Sequence, residues 1–187
     1  RWDCDPRWSF FSGDSSELAC LWNKESFGED ISLEFCGAVQ FNGARGTTNY
    51  SWARDINCTI AADGKDLSSG YSLIFGGGDN EATRLLRGNE VVAETTDHLI
   101  PRASSQHRQW FYLQIEKQGP RIRCWLDGTQ LFDYTDPEPL TGKRIAVWTW
   151  NRGLMVARAR IWAERDEGVP VAFVPGRPAP PKPAPSP

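Results

Sequence analysis

No apolar run in this sequence approaches the ~20 residues that a membrane-spanning helix needs. Nor is there a cluster of basic residues. The 21 Lys and Arg are scattered among 24 Asp and Glu, giving a net charge of −3. That excludes the electrostatic footprint of a nucleic-acid binder and the basic amphipathic helix of a membrane-surface binder. Histidine is scarce: His98 and His107 stand alone, and the five cysteines form no Cys-x-x-Cys pair. A structural zinc site is therefore not expected. Gly76-Gly77-Gly78 is followed by no Gly-Lys-Ser/Thr, so it reads as a loop that allows positive φ and not as a phosphate cradle. No Asp-rich loop demands calcium, although the architecture argued below is compatible with it.

What the sequence does have is alternation with period two, broken by Gly, Asn and Asp. Ile31, Leu33 and Phe35 share one face of residues 31–36. Ile56, Cys58 and Ile60 share one face of 54–61, with Asp55, Asn57 and Thr59 on the other. Further strands are expected at 70–76, 82–87, 110–116, 144–150 and 154–163. Residues 121–134 read as a hairpin about Asp127-Gly128, a pair that tolerates positive φ at both positions of a type I′ turn. A helical period persists nowhere, though a short helical turn near 78–82 is compatible with the sequence. The expected fold is all-β, a two-sheet antiparallel jelly-roll sandwich over residues 1–168. Cys36, Cys58 and Cys124 fall within strands, where a thiol packs as a small hydrophobe. Cys4 and Cys20 flank the first segment and form either one disulfide or two free thiols; the odd count leaves at least one thiol free or paired with another chain.

After about residue 168 the composition shifts. Residues 175–187, PGRPAPPKPAPSP, favour polyproline II and cannot build a core, so 169–187 is read as a proline-rich extended tail. It is either a spacer or a docking element, with Pro178, Pro180, Pro181, Pro183 and Pro185 as the candidate contacts.

Three segments resemble a known family. They are ACLWNKESFGEDISLEF (19–35), WFYLQIEK (110–117) with RIRCWLDGTQLFDY (121–134), and the closing ARIW (159–162). Together they resemble concanavalin A-like lectin/glucanase sandwiches, of the 3-keto-disaccharide hydrolase and laminin G-like types, over about residues 17–163. RDINC (54–58) and GGGDNEATR (76–84) are similar to secreted bacterial sandwich domains associated with polysaccharide breakdown. The resemblance implies a sandwich fold and an exported protein, periplasmic or extracellular. Any membrane association would run through a partner or a segment upstream of Arg1. It assigns no catalytic residue, because such folds host hydrolases, lyases, lectins and adhesion modules alike.

The candidate ligand-binding set is Trp52, Asp55, Asn57, Asp79, Asn80, Arg84, Trp125, Trp148 and Trp150. Asp55 and Asn57 lie two apart on one strand and share a face away from Ile56 and Cys58. Asp79, Asn80 and Arg84 border the glycine loop. These polar groups suit sugar hydroxyls, and tryptophan rings suit sugar faces or protein interfaces. The bland alternative makes Asp55 and Arg84 an ion pair, Asp79-Asn80 a turn and the tryptophans core. The sequence has neither the Glu-x-Asp-x-x-Glu strand of laminarinases nor a Gly-x-Ser-x-Gly motif, and Glu116, Asp133 and Asp136 form no evident pair. The expected function is thus a non-catalytic module that recognises a glycan or a protein partner. The alternatives are an accessory subunit of a larger membrane-associated assembly docked through the tail, and a glycoside hydrolase or lyase-like enzyme.

Overall fold

The computed structural model describes residues 2–4, 9–40, 55–102, 109–151 and 153–165. Trp52, His107 and the tail prolines Pro178, Pro180, Pro181, Pro183 and Pro185 lie outside them. The strands are β1 (Trp2–Asp3), β2 (Phe11–Asp14), β3 (Leu18–Trp22), β4 (Phe27–Gln40), β5 (Ile56–Ala62), β6 (Tyr71–Gly76), β7 (Ala82–Arg87), β8 (Glu90–Thr95), β9 (Phe111–Gln118), β10 (Arg121–Leu126), β11 (Thr129–Thr135), β12 (Arg144–Trp150) and β13 (Gly153–Arg165). They form two antiparallel sheets. The 7-stranded sheet runs β1-β2-β13-β4-β9-β10-β11, and the 6-stranded sheet runs β3-β12-β5-β6-β7-β8. The expected two-sheet all-β sandwich is the fold observed.

Alternation decides which side chains meet between the sheets. Ile31, Leu33 and Phe35 of β4 stand opposite Lys117, Ile115 and Leu113 of β9 and point inward with them. Ile56, Cys58 and Ile60 of β5 face them from the other sheet, beside Leu73 and Phe75 of β6. Phe75 and Phe111 close the gap edge to face, with ring centroids 4.9 Å apart. Cys58 and Cys124 are both buried here, and burial pushes the Cys58 thiol up to about 12, as expected of a cysteine that serves as packing. Cys4 and Cys20 are free thiols, as is Cys36.

Turn chemistry follows the sequence. Asp127 and Gly128 adopt φ of 49° and 81°, the conformation of a type I′ hairpin. Asp127 also clamps the neighbouring strand: its carboxylate accepts from Tyr112 N at 2.7 Å and its N–H donates to Tyr112 O. The glycine loop is a tight left-handed turn, with φ of 60° at Gly78, 63° at Asp79 and 64° at Asn80.

One feature breaks the alternation. β13 begins with Leu154 and Val156 pointing inward, which by plain alternation would drive Arg158, Arg160 and Trp162 into the core. A bulge intervenes. Ala157 pairs with Cys36, but the next outward partner, Glu34, is met by Arg160 and not by residue 159. Arg160 and Trp162 thereby face outward. The extra residue is absorbed at Arg158, whose φ is 52°. A side chain in that region is strained, so Arg158→Gly is expected to raise stability by about 1 kcal/mol without altering the register. Urea unfolding checks this; an unchanged or lower midpoint would remove the strain argument.

Candidate functional site

Most of the polar residues singled out in the sequence are engaged by hydrogen bonds or ion pairs within the fold. Asp55 is 7% exposed and Asn57 is fully buried. The Asp55 carboxylate accepts from Asn57 Nδ2 at 2.8 Å, Thr149 Oγ1 at 2.6 Å and the Trp150 N–H at 3.0 Å, knitting β5 to β12. Trp148 is also buried, and its indole N–H donates to Thr59 Oγ1, which meets Ser72 Oγ at 2.7 Å. These side chains point away from the core yet exclude solvent. Asn80 is buried and fastens the chain beyond β8: Nδ2 donates to Ile100 O and Oδ1 accepts from Ile100 N. Arg84 pairs with Glu94 and not with Asp55, and the Asp79 carbonyl accepts from Arg102. Trp150 is exposed, but it lies on β12 opposite Leu18 at the sheet margin.

Trp125 leads elsewhere. It sits on the outward face of the 7-stranded sheet, where strand pairing lines up two rows of polar side chains. One row reads Arg160, Glu34, Gln114, Trp125 across β13, β4, β9 and β10. The next reads Trp162, Ser32, Glu116, Arg123, Asp133 and reaches β11. A groove of about 820 Å³ runs over β4 between β13 and β9, lined by Asp30, Ser32, Glu34, Gln114, Glu116 and Trp162 among others. That is within the roughly 300–1,000 Å³ of small-ligand sites. Trp162 is 51% exposed and offers an open indole on the β13 side.

The groove's polar groups are held in place. Glu34, with a side chain only 9% exposed, pairs with Arg160 at 3.3 Å. Glu116 pairs with Arg123, whose guanidinium also donates to Gln118 at 2.8 Å and lies 5.4 Å from the Trp125 ring centroid. Arg121 holds Asp133 through two bonds, at 2.7 and 2.5 Å, and lowers its carboxyl below the ordinary value. Gln114 Nε2 reaches Ser32 Oγ at 3.4 Å. Such cross-braced side chains lose little freedom when a ligand arrives. Among the described residues no three or more His, Cys, Asp or Glu are grouped so as to hold a metal ion. Nor is any helix there long and apolar enough to cross a membrane.

Of this surface the sequence reading picked Trp125 alone as a ligand contact. Glu34, Gln114, Arg160 and Trp162 escaped it. The outward half of each alternating strand reads as an ordinary solvated face, and the bulge that turns Trp162 outward leaves no mark in the sequence.

No protein-family model and no curated protein sequence matches the chain. Solved structures do. The carbohydrate-binding module CBM66 from Bacillus subtilis superposes with a TM-score of 0.66 at 16% identity, over 87% of this chain and 91% of that one. The exoplasmic/lumenal domain of VIP36, in its calcium- and mannose-bound form, gives 0.61 at 11% identity, over 87% and 82%. A putative glycosyl hydrolase from Parabacteroides distasonis gives 0.52 at 10%, over 87% and 93%. At such identities the likeness speaks for architecture alone, and the architecture is that of the concanavalin A-like sandwich.

Proposed function

We propose that this protein is a glycan-binding module whose combining site is the groove on the outward face of the 7-stranded sheet. The observation that carries the reading is the pair of cross-strand rows around Glu34, Gln114 and Glu116, walled by the exposed indole of Trp162. Planar carboxylate, amide and guanidinium groups donate to and accept from hydroxyls in pairs. An open tryptophan face offers the apolar surface against which a sugar ring stacks. The likeness to a carbohydrate-binding module and to a mannose-bound lumenal domain supports the same reading. It goes with an exported protein, periplasmic or extracellular, and with a glycan as the partner.

Trp162→Ala is expected to weaken binding to a retained polysaccharide roughly tenfold or more while leaving the unfolding midpoint nearly unchanged. Affinity electrophoresis in gels containing soluble polysaccharides measures this. Equal retardation of the variant and the parent protein would refute the site.

A second reading is favoured by one observation: two carboxylates, Glu34 and Glu116, line the same groove. Glycosidases place two carboxylates about a scissile bond. Release of reducing sugar from a bound polysaccharide, lost in Glu116→Gln, would favour the enzyme over the binding module.

A further inference from the structure

The groove's charge says which glycans fit it. The acidic lining groups are Asp30, Glu34 and Glu116, against a single lining lysine, Lys117. Lys117 is itself buried, 1% exposed, with its ammonium donating to the Glu29 carbonyl at 3.1 Å. Among the described residues, three arginines of this face are each engaged by a carboxylate: Arg160 by Glu34, Arg123 by Glu116 and Arg121 by Asp133. A uronate or sulfate entering here would meet like charge from the lining. To gain Arg123 it would have to displace Glu116, whose side chain is 15% exposed, and strand a charge with little water to solvate it; Arg160, 66% exposed and bound to Glu34 through Nη1 alone, is not among the lining residues. A hydroxyl faces no such obstacle. Each of these carboxylates spends one oxygen, Oε1, on its arginine, and among the described residues Oε2 has no partner. A carboxylate oxygen so left accepts readily from a sugar hydroxyl.

Building on the glycan-binding reading above, we propose that the groove takes uncharged glycans and rejects acidic ones. Hydroxyls donate to Glu34 and Glu116, and the ring lies against Trp162. Selectivity resides in the acidic lining and in the Glu116–Arg123 pair, whose cation is held against its carboxylate; the more exposed Arg160 lies outside the lining.

The test uses the full chain against a panel of neutral polysaccharides (a mannan, a mixed-linkage glucan, a fructan) and acidic ones (polygalacturonate, alginate), at low and high salt. The expected result is retention by at least one neutral polymer, little changed by salt, with acidic polymers bound at least tenfold more weakly. Glu116→Gln keeps the shape but removes the negative charge opposite Arg123, so it is expected to narrow that ratio by strengthening uronate binding. Two results would overturn the proposal and leave glycan binding intact. One is acidic polymers bound as tightly as neutral ones or more so, with steep salt dependence. The other is an unchanged ratio in Glu116→Gln. Failure of every polymer, with Trp162→Ala indistinguishable from the parent chain, would instead strike the glycan-binding reading itself.

Discussion

Asp136→Ala is expected to lower stability by about 3 kcal/mol or more, a large part of what holds a domain of this kind together. Asp136 follows β11 in the 7-stranded sheet and is 1% exposed. One carboxylate oxygen accepts from Tyr71 Oη at 2.5 Å and Arg87 Nε at 2.6 Å, both from the 6-stranded sheet. The other accepts from the Glu138 N–H at 2.9 Å. Arg87 also donates to the Glu138 carbonyl, and Tyr71 Oη accepts from the Leu140 N–H. One carboxylate thus clasps the two sheets where burial is deep. Truncation leaves a buried hydroxyl, a guanidinium and an amide without their acceptor.

The same clasp predicts acid lability. Burial alone would raise the Asp136 carboxyl, but the hydrogen bonds from Tyr71, Glu138 N–H and Arg87 outweigh it, and the group stays below its ordinary value of 3.8. A carboxyl lowered in the folded state contributes stability that is full above its unfolded value. That contribution is lost as pH falls through the folded value. Tyr71 works in the opposite sense. Burial and then its bond to Asp136 raise its hydroxyl well above 10, so its contribution is full below that pH and fades on the alkaline side. Urea midpoints measured from pH 7 down to 3 should fall in the parent protein and fall less steeply in Asp136→Asn. Parallel curves would separate acid denaturation from this carboxylate.

The fold was legible because burial has a period. Phe111, Leu113 and Ile115 could be assigned to the core from their spacing alone, and Asp127-Gly128 could be assigned to a hairpin because few other residue pairs accept φ of 49° and 81°. The groove was not legible, for two physical reasons. Polar residues on an outward face look the same whether they meet water or a ligand, so Glu34 and Gln114 carried no signal. And the register of β13 beyond Ala157 depends on a bulge, a non-local outcome of fitting Arg160 and Trp162 outside a core already filled by Phe35 and Leu33. The polar face of β5 misled in the converse way. Alternation placed Asp55 and Asn57 on the side away from the core, which is where they are. It could not say that this side would be closed to solvent, with Trp148 and Thr149 supplying the hydrogen bonds.

Asp55→Ala is expected to cost about 3–4 kcal/mol, because it removes the acceptor shared by the Asn57 amide, the Thr149 hydroxyl and the Trp150 N–H, all held away from water. Asn57 would suffer most, since among the described residues its Oδ1 already finds no donor. Losing Asp55 would leave that buried amide with neither end engaged among the described residues. Thr149→Val is the milder form: it deletes one donor to Asp55, keeps the volume, and should cost about 1 kcal/mol. Both variants lie on the sheet remote from the groove, so glycan affinity measured well below the unfolding midpoint should match the parent value even as that midpoint drops. If Thr149→Val instead weakened glycan binding at unchanged stability, the outward face of the 6-stranded sheet would become the combining surface, and Asp55 and Asn57 its acceptors.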